Sequence, residues 1–292
     1  METSTISPLN PQSSLLSGVN VLIEGPTGTG KTYSIGTLVD TGIETYYLAL
    51  ESGLESLLGY WTDHGKAVPK NLHWHHISQA DSDFTVMLKA AQIINTSTNE
   101  ALAKMQDMDK AKYNSFVKVL LALNNFEDQR TSTKHGSPQT WGPDKCLVID
   151  ALTGLNIAAM SLVAGGKPIK TIVDWGVAMD QIEKLIRMLT EGCRCHFVLI
   201  AHIEREIDQV LGGQKITVGT LGQKLAGKIP PLFSDVILAE RRGSEFFWST
   251  ANPNADLKTR NLTISEKIHP DFRTILSKWE SRGGRYTEKV QK

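Results

Sequence analysis

The sequence predicts an α/β fold: a mostly parallel sheet flanked by helices, with an antiparallel hairpin towards its C-terminal end. Three observations predict it. Short apolar runs (VNVLIEG, TYYLAL, CLVID and HFVLIAH) alternate with stretches of helical periodicity, the pattern that builds parallel sheets. A glycine-rich turn, Gly25-Pro-Thr-Gly-Thr-Gly30-Lys31-Thr32, joins the first run to the first helix-like stretch. Lastly, VILAERR and EFFWST sit either side of Arg242-Gly243-Ser244, as the arms of a hairpin do.

Taken in chain order, residues 1–18 are rich in Ser, Pro and Asn and are expected to form a flexible arm. Val19–Gly25 is a short apolar run bounded by glycines, suited to a buried parallel strand, and TYSIGTLV after the turn suits a helix. TYYLAL (45–50) and NLHWHHI (71–77) are rich in strand formers. FTVMLKAAQII (84–94) and roughly 100–126 carry helical apolar spacing. Residues 128–145, polar and broken by Pro and Gly, are expected to be a long mobile loop. CLVID (146–150) and HFVLIAH (196–202) are two more strands, separated by a helix over 175–191. One domain is expected over 19–277, followed by an exposed basic tail, 278–292.

Composition narrows the function classes. Lys+Arg and Asp+Glu both number 31, so the net charge is zero and binding to nucleic acid by bulk charge is excluded, although a local basic groove is not. Three cysteines (Cys146, Cys193, Cys195) make no disulfide framework and fit a reducing compartment. Cys193 and Cys195 lack a second Cys/His pair at zinc spacing and read as structural. The first residues lack the basic-then-apolar pattern of a signal peptide, and no run of eighteen apolar residues occurs. A cytoplasmic protein without a membrane partner is expected.

The glycine-rich turn fits G-x-x-x-x-G-K-[ST] in full, and a strand precedes it while a helix follows. Glycines 25, 28 and 30 let backbone N–H groups turn inward around a phosphate chain at a helix N-terminus, where the dipole favours anions. Gly25, Pro26, Thr27, Gly28, Thr29, Gly30, Lys31, Thr32 and Tyr33 are therefore the expected nucleotide-binding residues, ATP the nucleotide. Lys31 would neutralise the outer phosphates and Thr32 would bind Mg²⁺. A second metal-side acid is expected in Asp150, which ends a buried strand where open α/β sheets place their ligands. Hydrolysis also needs a group to orient or deprotonate water. Residue 151 is Ala, so a Glu next to the metal Asp is absent; Glu51, ending TYYLALE, is the candidate base, with Glu55 as the fallback. His202 ends the third apolar run and could sense the outer phosphate.

Together these features resemble the RecA-like P-loop ATPase core, and more narrowly the single-domain RecA-like ATPases of bacteriophages associated with single-strand annealing and recombination. The resemblance spans roughly residues 19 to 279. It implies that Lys31 and Thr32 hold phosphate and Mg²⁺, Asp150 the metal and Glu51 the water, with His202 at the sensor position. It also implies self-association into rings or filaments, with ATP between neighbours. Lys258 and Arg260 stand where related helicases place a Lys-x-Arg finger that reaches the neighbouring subunit's ATP. Two loops of the family, after the metal strand and the sensor strand, line a DNA path; here they correspond to about 152–172, with Lys167 and Lys170, and 203–228, with Arg205, Lys215, Lys224 and Lys228. Neither carries an aromatic residue, so contact with single-stranded DNA would lean on phosphates and be salt-sensitive. Unlike in the longer recombinases, no separate N-terminal DNA-binding domain is expected from residues 1–18, which are too short and polar to form one.

Among other signals, His73-Trp-His75-His76 suggests a metal, but no carboxylate partner is evident and a structural role is expected. Trp141 suits either stacking on a base or capping the core. The expectation is a Mg-dependent ATPase that assembles on single-stranded DNA in phage-type recombination, annealing or replication, in a phage-infected bacterial cytoplasm. A ring-forming helicase or translocase, and an ATP-gated switch without DNA, are the rivals. A small-molecule kinase is disfavoured because no Arg-rich lid segment is found.

Overall fold

Alternation within the apolar runs decides how the sheet is covered. A computed structural model describes residues 16–79, 84–105, 113–207 and 212–286. β1 (Asn20–Glu24) leads through the glycine-rich turn into α1 (Lys31–Val39), then β2 (Glu44–Ala49), α2 (Leu54–Thr62) and the edge strand β3 (Leu72–His76). Helices α3 (Phe84–Thr96), α4 (Asn99–Lys104) and α5 (Ser115–Asn124) follow, then a small hairpin of β4 (Glu127–Asp128) and β5 (Thr133–Lys134). β6 (Lys145–Asp150), α6 (Leu152–Ala164), α7 (Ile172–Glu191) and β7 (His196–Ala201) complete the centre. A second hairpin, β8 (Ile203–Ile207) and β9 (Gln214–Val218), precedes the short α8 (Gln223–Ala226), β10 (Asp235–Arg242), β11 (Glu245–Ser249) and α9 (Phe272–Ser281).

The central sheet has seven strands in the order β11-β10-β1-β7-β6-β2-β3. All neighbours run parallel except β10 and β11, which form the antiparallel hairpin expected around Gly243. The α/β class with a mostly parallel sheet flanked by helices therefore holds. Side chains at alternate positions point to opposite faces. Leu22, Tyr46 and Leu48 join the core under α5, α6 and α7, while Val21, Ile23, Tyr47 and Ala49 join the core under α1, α2 and α9. Register brings Glu24 level with Ala201, Asp150 with Ile200, and Ala49 with Asp150, so four strands end at one edge of the sheet.

Several boundaries differ from expectation. The expected loop 128–145 instead carries the β4–β5 hairpin and a 3₁₀ turn at Pro138–Thr140. The buried Asp128 carboxylate organises it, accepting the N–H groups of Arg130 and Trp74, and Trp141 stacks on Tyr46 at 4.1 Å between centroids. Polar composition concealed this because the polar groups bond inward to one another. The expected basic tail also begins too early: α9 runs through Ser281, and Trp279 is buried with Nε1 donating to the Ser17 carbonyl. The boundary at 277 thus falls inside a packed helix, and residues 16–18 are tied to the domain at their end, Gly18 N–H donating to Arg194 O. The remainder of the arm (1–15), of the tail (287–292), part of the helical stretch (106–112) and part of the second basic segment (208–211) lie outside the described residues. Finally, most of 152–172 is not loop but α6, whose nearly all-round apolar surface is buried between sheet and α7. Gly154 lets it come that close, since a Cβ there would sit 2.5 Å from Leu50 Cβ. Among the described residues no helix is long and apolar enough to cross a membrane.

Candidate nucleotide site

The glycine-rich turn closes on itself before it meets any ligand. Gly28 and Gly30 both adopt φ 75°, a region that strongly favours glycine, and Gly30 forms the N-terminal cap of α1. A side chain at Gly25 would collide with the Ala239 carbonyl of β10, which explains the first glycine by close strand approach. Thr29 Oγ1 donates to Pro26 O at 2.8 Å and fixes the turn. Lys31 Nζ donates to Gly25 O and Pro26 O, both at 2.8 Å, so the ammonium lies within the loop. Burial lowers its pKa to about 8, against the pull of Asp150 and Glu51.

Asp150 ends β6 as expected and is buried. Its Oδ2 accepts the hydroxyls of Thr32 and Tyr47, each at 2.6 Å. Burial raises the Asp150 pKa, and those two hydrogen bonds oppose the rise. Glu51 follows β2 and lies 3.4 Å from His202 Nε2 through its Oε2. Its pKa is lowered, chiefly by the His202 contact, while Oε1 is buried without a hydrogen-bond partner. Lys31, Thr32, Glu51, Asp150 and His202 thus come together, from four separate stretches of sequence, in one open cleft of about 1380 Å³. Thr27, Gly28, Thr29, Gly30 and Tyr33 line it too, as does Glu55 on the first turn of α2, where it is exposed.

The residues present fit a nucleoside triphosphate with a divalent cation. The turn, with Gly28 and Gly30 at φ 75°, opens onto a helix N-terminus beside an ammonium, and a hydroxyl and a carboxylate stand side by side at 2.6 Å. The orphaned Glu51 oxygen supplies an acceptor that nothing in the chain uses.

Some of this site could not be anticipated. Tyr47 reaches Asp150 only because β2 pairs with β6, which no sequence pattern announces. Phe246 of the hairpin packs over Gly30, and His269 and Arg273 close the far wall. The single available signal was that EFFWST follows the last parallel strand. Tyr33 meets Tyr60 edge-on at 5.0 Å, giving the cleft an aromatic rim.

Other candidates lie elsewhere. Lys258 and Arg260 do not line the cleft. They sit on a turn clamped by the fully buried Asp235, whose Oδ1 accepts the backbone N–H groups of Arg260 (2.9 Å) and Asn261 (2.8 Å) while the Arg260 side chain stays exposed. Lys258 Nζ donates to Pro231 O. Of the six basic residues expected on a DNA path, three are engaged in ion pairs: Lys167 with Asp174 (3.2 Å), Lys215 with Asp256 (3.4 Å) and Lys228 with Glu183 (2.6 Å). Lys170, Arg205 and Lys224 are exposed. The two segments do touch, through Asn156 Nδ2 donating to Gly219 O at 3.2 Å. The expectation that His73 lacks a carboxylate is overturned, because Glu44 Oε2 lies 2.8 Å from its Nε2 and Asp128 Oδ2 lies 3.2 Å from its Nδ1.

With this geometry in place, comparison with known proteins defines the class. The chain matches the AAA domain family over residues 17–267 and belongs to it. It is a P-loop NTPase domain. No curated protein matches it. Among solved structures it is similar to the flagellar accessory protein FlaH from Methanocaldococcus jannaschii, at 11% identity and a TM-score of 0.38, covering 88% of this chain and 87% of that one. It is also similar to the RadB recombinase, at 12% identity and a TM-score of 0.33, covering 87% and 86%. Neither lends a residue role to this chain.

Proposed function

We propose that this protein is a Mg-dependent ATP hydrolase that assembles on single-stranded DNA in phage-type recombination, annealing or replication. The observation that carries the hydrolase half is the convergence of Lys31, Thr32, Asp150 and Glu51 on one cleft. Gly28 to Thr32 present backbone N–H groups and the Lys31 ammonium to the phosphates. Thr32 Oγ1 and Asp150 hold the cation, with Tyr47 steadying the carboxylate. Bound Mg²⁺ would supply charge neutralisation on the outer phosphates. Glu51 orients water and takes its proton at Oε1, while His202 fixes Oε2 and keeps the carboxyl ionised near neutral pH.

Support for assembly comes from Arg260, exposed on a rigid turn outside its own cleft and so suited to a neighbour's. Ile169, Ile172, Val173 and Trp175 are exposed around the start of α7, an apolar patch of the kind buried between copies. The DNA half rests on Lys170, Arg205 and Lys224 and on the contact between the two basic segments. The ion pairs of Lys167, Lys215 and Lys228 favour a second reading, an ATP-gated assembly protein without DNA.

ATP turnover with and without single-stranded DNA, at two salt concentrations, separates them. The first reading predicts stimulation that fades at the higher salt. A rate indifferent to DNA at both salts removes the DNA half and leaves the switch. Strand displacement on a forked duplex would indicate a translocating motor.

A further inference from the structure

Away from the nucleotide cleft, at the opposite edge of the sheet from the β10–β11 hairpin, a second cluster of metal-ligating groups is built by the β4–β5 hairpin folding over β3. His73 comes from β3, Asp128 from β4 and His135 from the residue following β5. One nitrogen of each imidazole and one carboxylate oxygen lie within 4.8 Å of one another. None of the three lines the nucleotide cleft.

Each group is oriented by partners of its own. Asp128 is fully buried; Oδ1 accepts from the N–H groups of Arg130 (3.0 Å) and Trp74 (3.3 Å), and Oδ2 from Thr131 Oγ1 (2.9 Å). Glu44 Oε2 lies 2.8 Å from His73 Nε2, and Asp128 Oδ2 lies 3.2 Å from its Nδ1. His135 Nδ1 lies 3.3 Å from the Tyr46 hydroxyl, while its Nε2 is buried with no hydrogen-bond partner. Arg130 is near, its Nε 4.0 Å from Asp128 Oδ2, but its guanidinium is committed to the carbonyls of Pro69, Lys70 and Leu72 and stacks over Trp74. Lys145, also near, pairs with Asp144 at 3.1 Å.

Hydrogen bonding of His73 to Glu44 and Asp128 would account for those three side chains but would leave His135 Nε2 unsatisfied. A cation accounts for all three. We propose that His73 Nδ1, Asp128 Oδ2 and His135 Nε2 bind a divalent transition-metal ion, zinc by the chemistry of the donors, with water completing the coordination and Glu44 as the outer carboxylate on His73. Two imidazoles and a carboxylate suit Zn²⁺ rather than the oxygen-preferring Mg²⁺ of the nucleotide cleft. The carboxylate–imidazole–metal chain through Glu44 is the usual outer arrangement of such sites. The ion would pin the hairpin to the sheet edge.

The test is zinc binding by the full-length protein after chelator treatment, with zinc sulfate alone as titrant and neither nucleotide nor Mg²⁺ present. One equivalent should bind, and Co²⁺ in its place should give the visible bands of low-symmetry nitrogen and oxygen coordination. His135→Gln should abolish the stoichiometric step. Glu44→Gln, outside the ligand set, should weaken binding roughly 10- to 100-fold. Asp150→Asn should leave it unchanged, which separates this site from the nucleotide cleft. Absence of stoichiometric zinc in the unmodified chain, or retention of its full affinity in His135→Gln, would overturn the proposal; the Co²⁺ spectrum of the unmodified chain decides even if a variant folds poorly.

Discussion

Glu51 and Asp150 face the same cleft yet are held in opposite senses. The His202 contact lowers the pKa of Glu51, whereas burial raises that of Asp150 against the hydroxyls of Thr32 and Tyr47. A half-buried, readily ionised acid suits a water-orienting base, and a buried one braced by two hydroxyls suits a fixed cation ligand. Glu51→Gln keeps the size and loses the charge. Its turnover should fall on the order of 10²–10⁴-fold while nucleotide binding persists, read by single-turnover kinetics beside equilibrium binding. Normal turnover would remove the base assignment. At this scale the sequence was legible wherever the candidate site is contiguous or ends a strand: residues of the phosphate loop, Asp150, Glu51 and His202 line one cleft. Tyr47 and the Glu44–His73–Asp128–His135 chain were not legible, because their partners are joined only by strand pairing and a returning hairpin.

Among the elements, the parallel strands were readable because each is a short apolar run with a punctuated end. Segments whose polar groups bond inward were not: 128–145 looked like a solvated loop, and the RecA-like resemblance suggested loop for α6 although its apolar sequence is that of a buried helix. β7 shows how strand ends are anchored. Its first residue, His196, is buried, accepts the Val19 N–H at Nδ1 (3.0 Å) and meets the Trp279 ring of α9 edge-on. Burial lowers its pKa from 6.5 to about 4. Between those values the unfolded chain takes up a proton that the folded chain refuses, so this contribution is complete above about pH 6.5 and is lost as pH falls towards 4. Denaturant unfolding should show up to about 3 kcal/mol of acid destabilisation from this residue, and His196→Asn should flatten the slope in that window. An unchanged slope would mean that His196 does not titrate as described.

For the whole molecule, a net charge of zero coexists with local pairing. Three of the six basic residues on the expected DNA path are balanced by Asp174, Asp256 and Glu183, while Lys170, Arg205 and Lys224 stay exposed. The proposed assembly draws on Arg260, whose backbone is held by Asp235. Arg260→Ala should lower turnover at protein concentrations that support assembly while leaving ATP affinity of the dilute chain nearly intact. Loss of affinity in dilute protein would argue against action on a neighbour. The central claim, that the phosphate loop, Asp150 and Glu51 form an ATP-hydrolysing centre, is tested most directly by Mg-dependent phosphate release from ATP by the full chain, with Lys31→Ala as the blank. The account predicts turnover that requires Mg²⁺ and vanishes in Lys31→Ala; turnover undiminished in that variant, or none in the unmodified chain under assembling conditions, would contradict it.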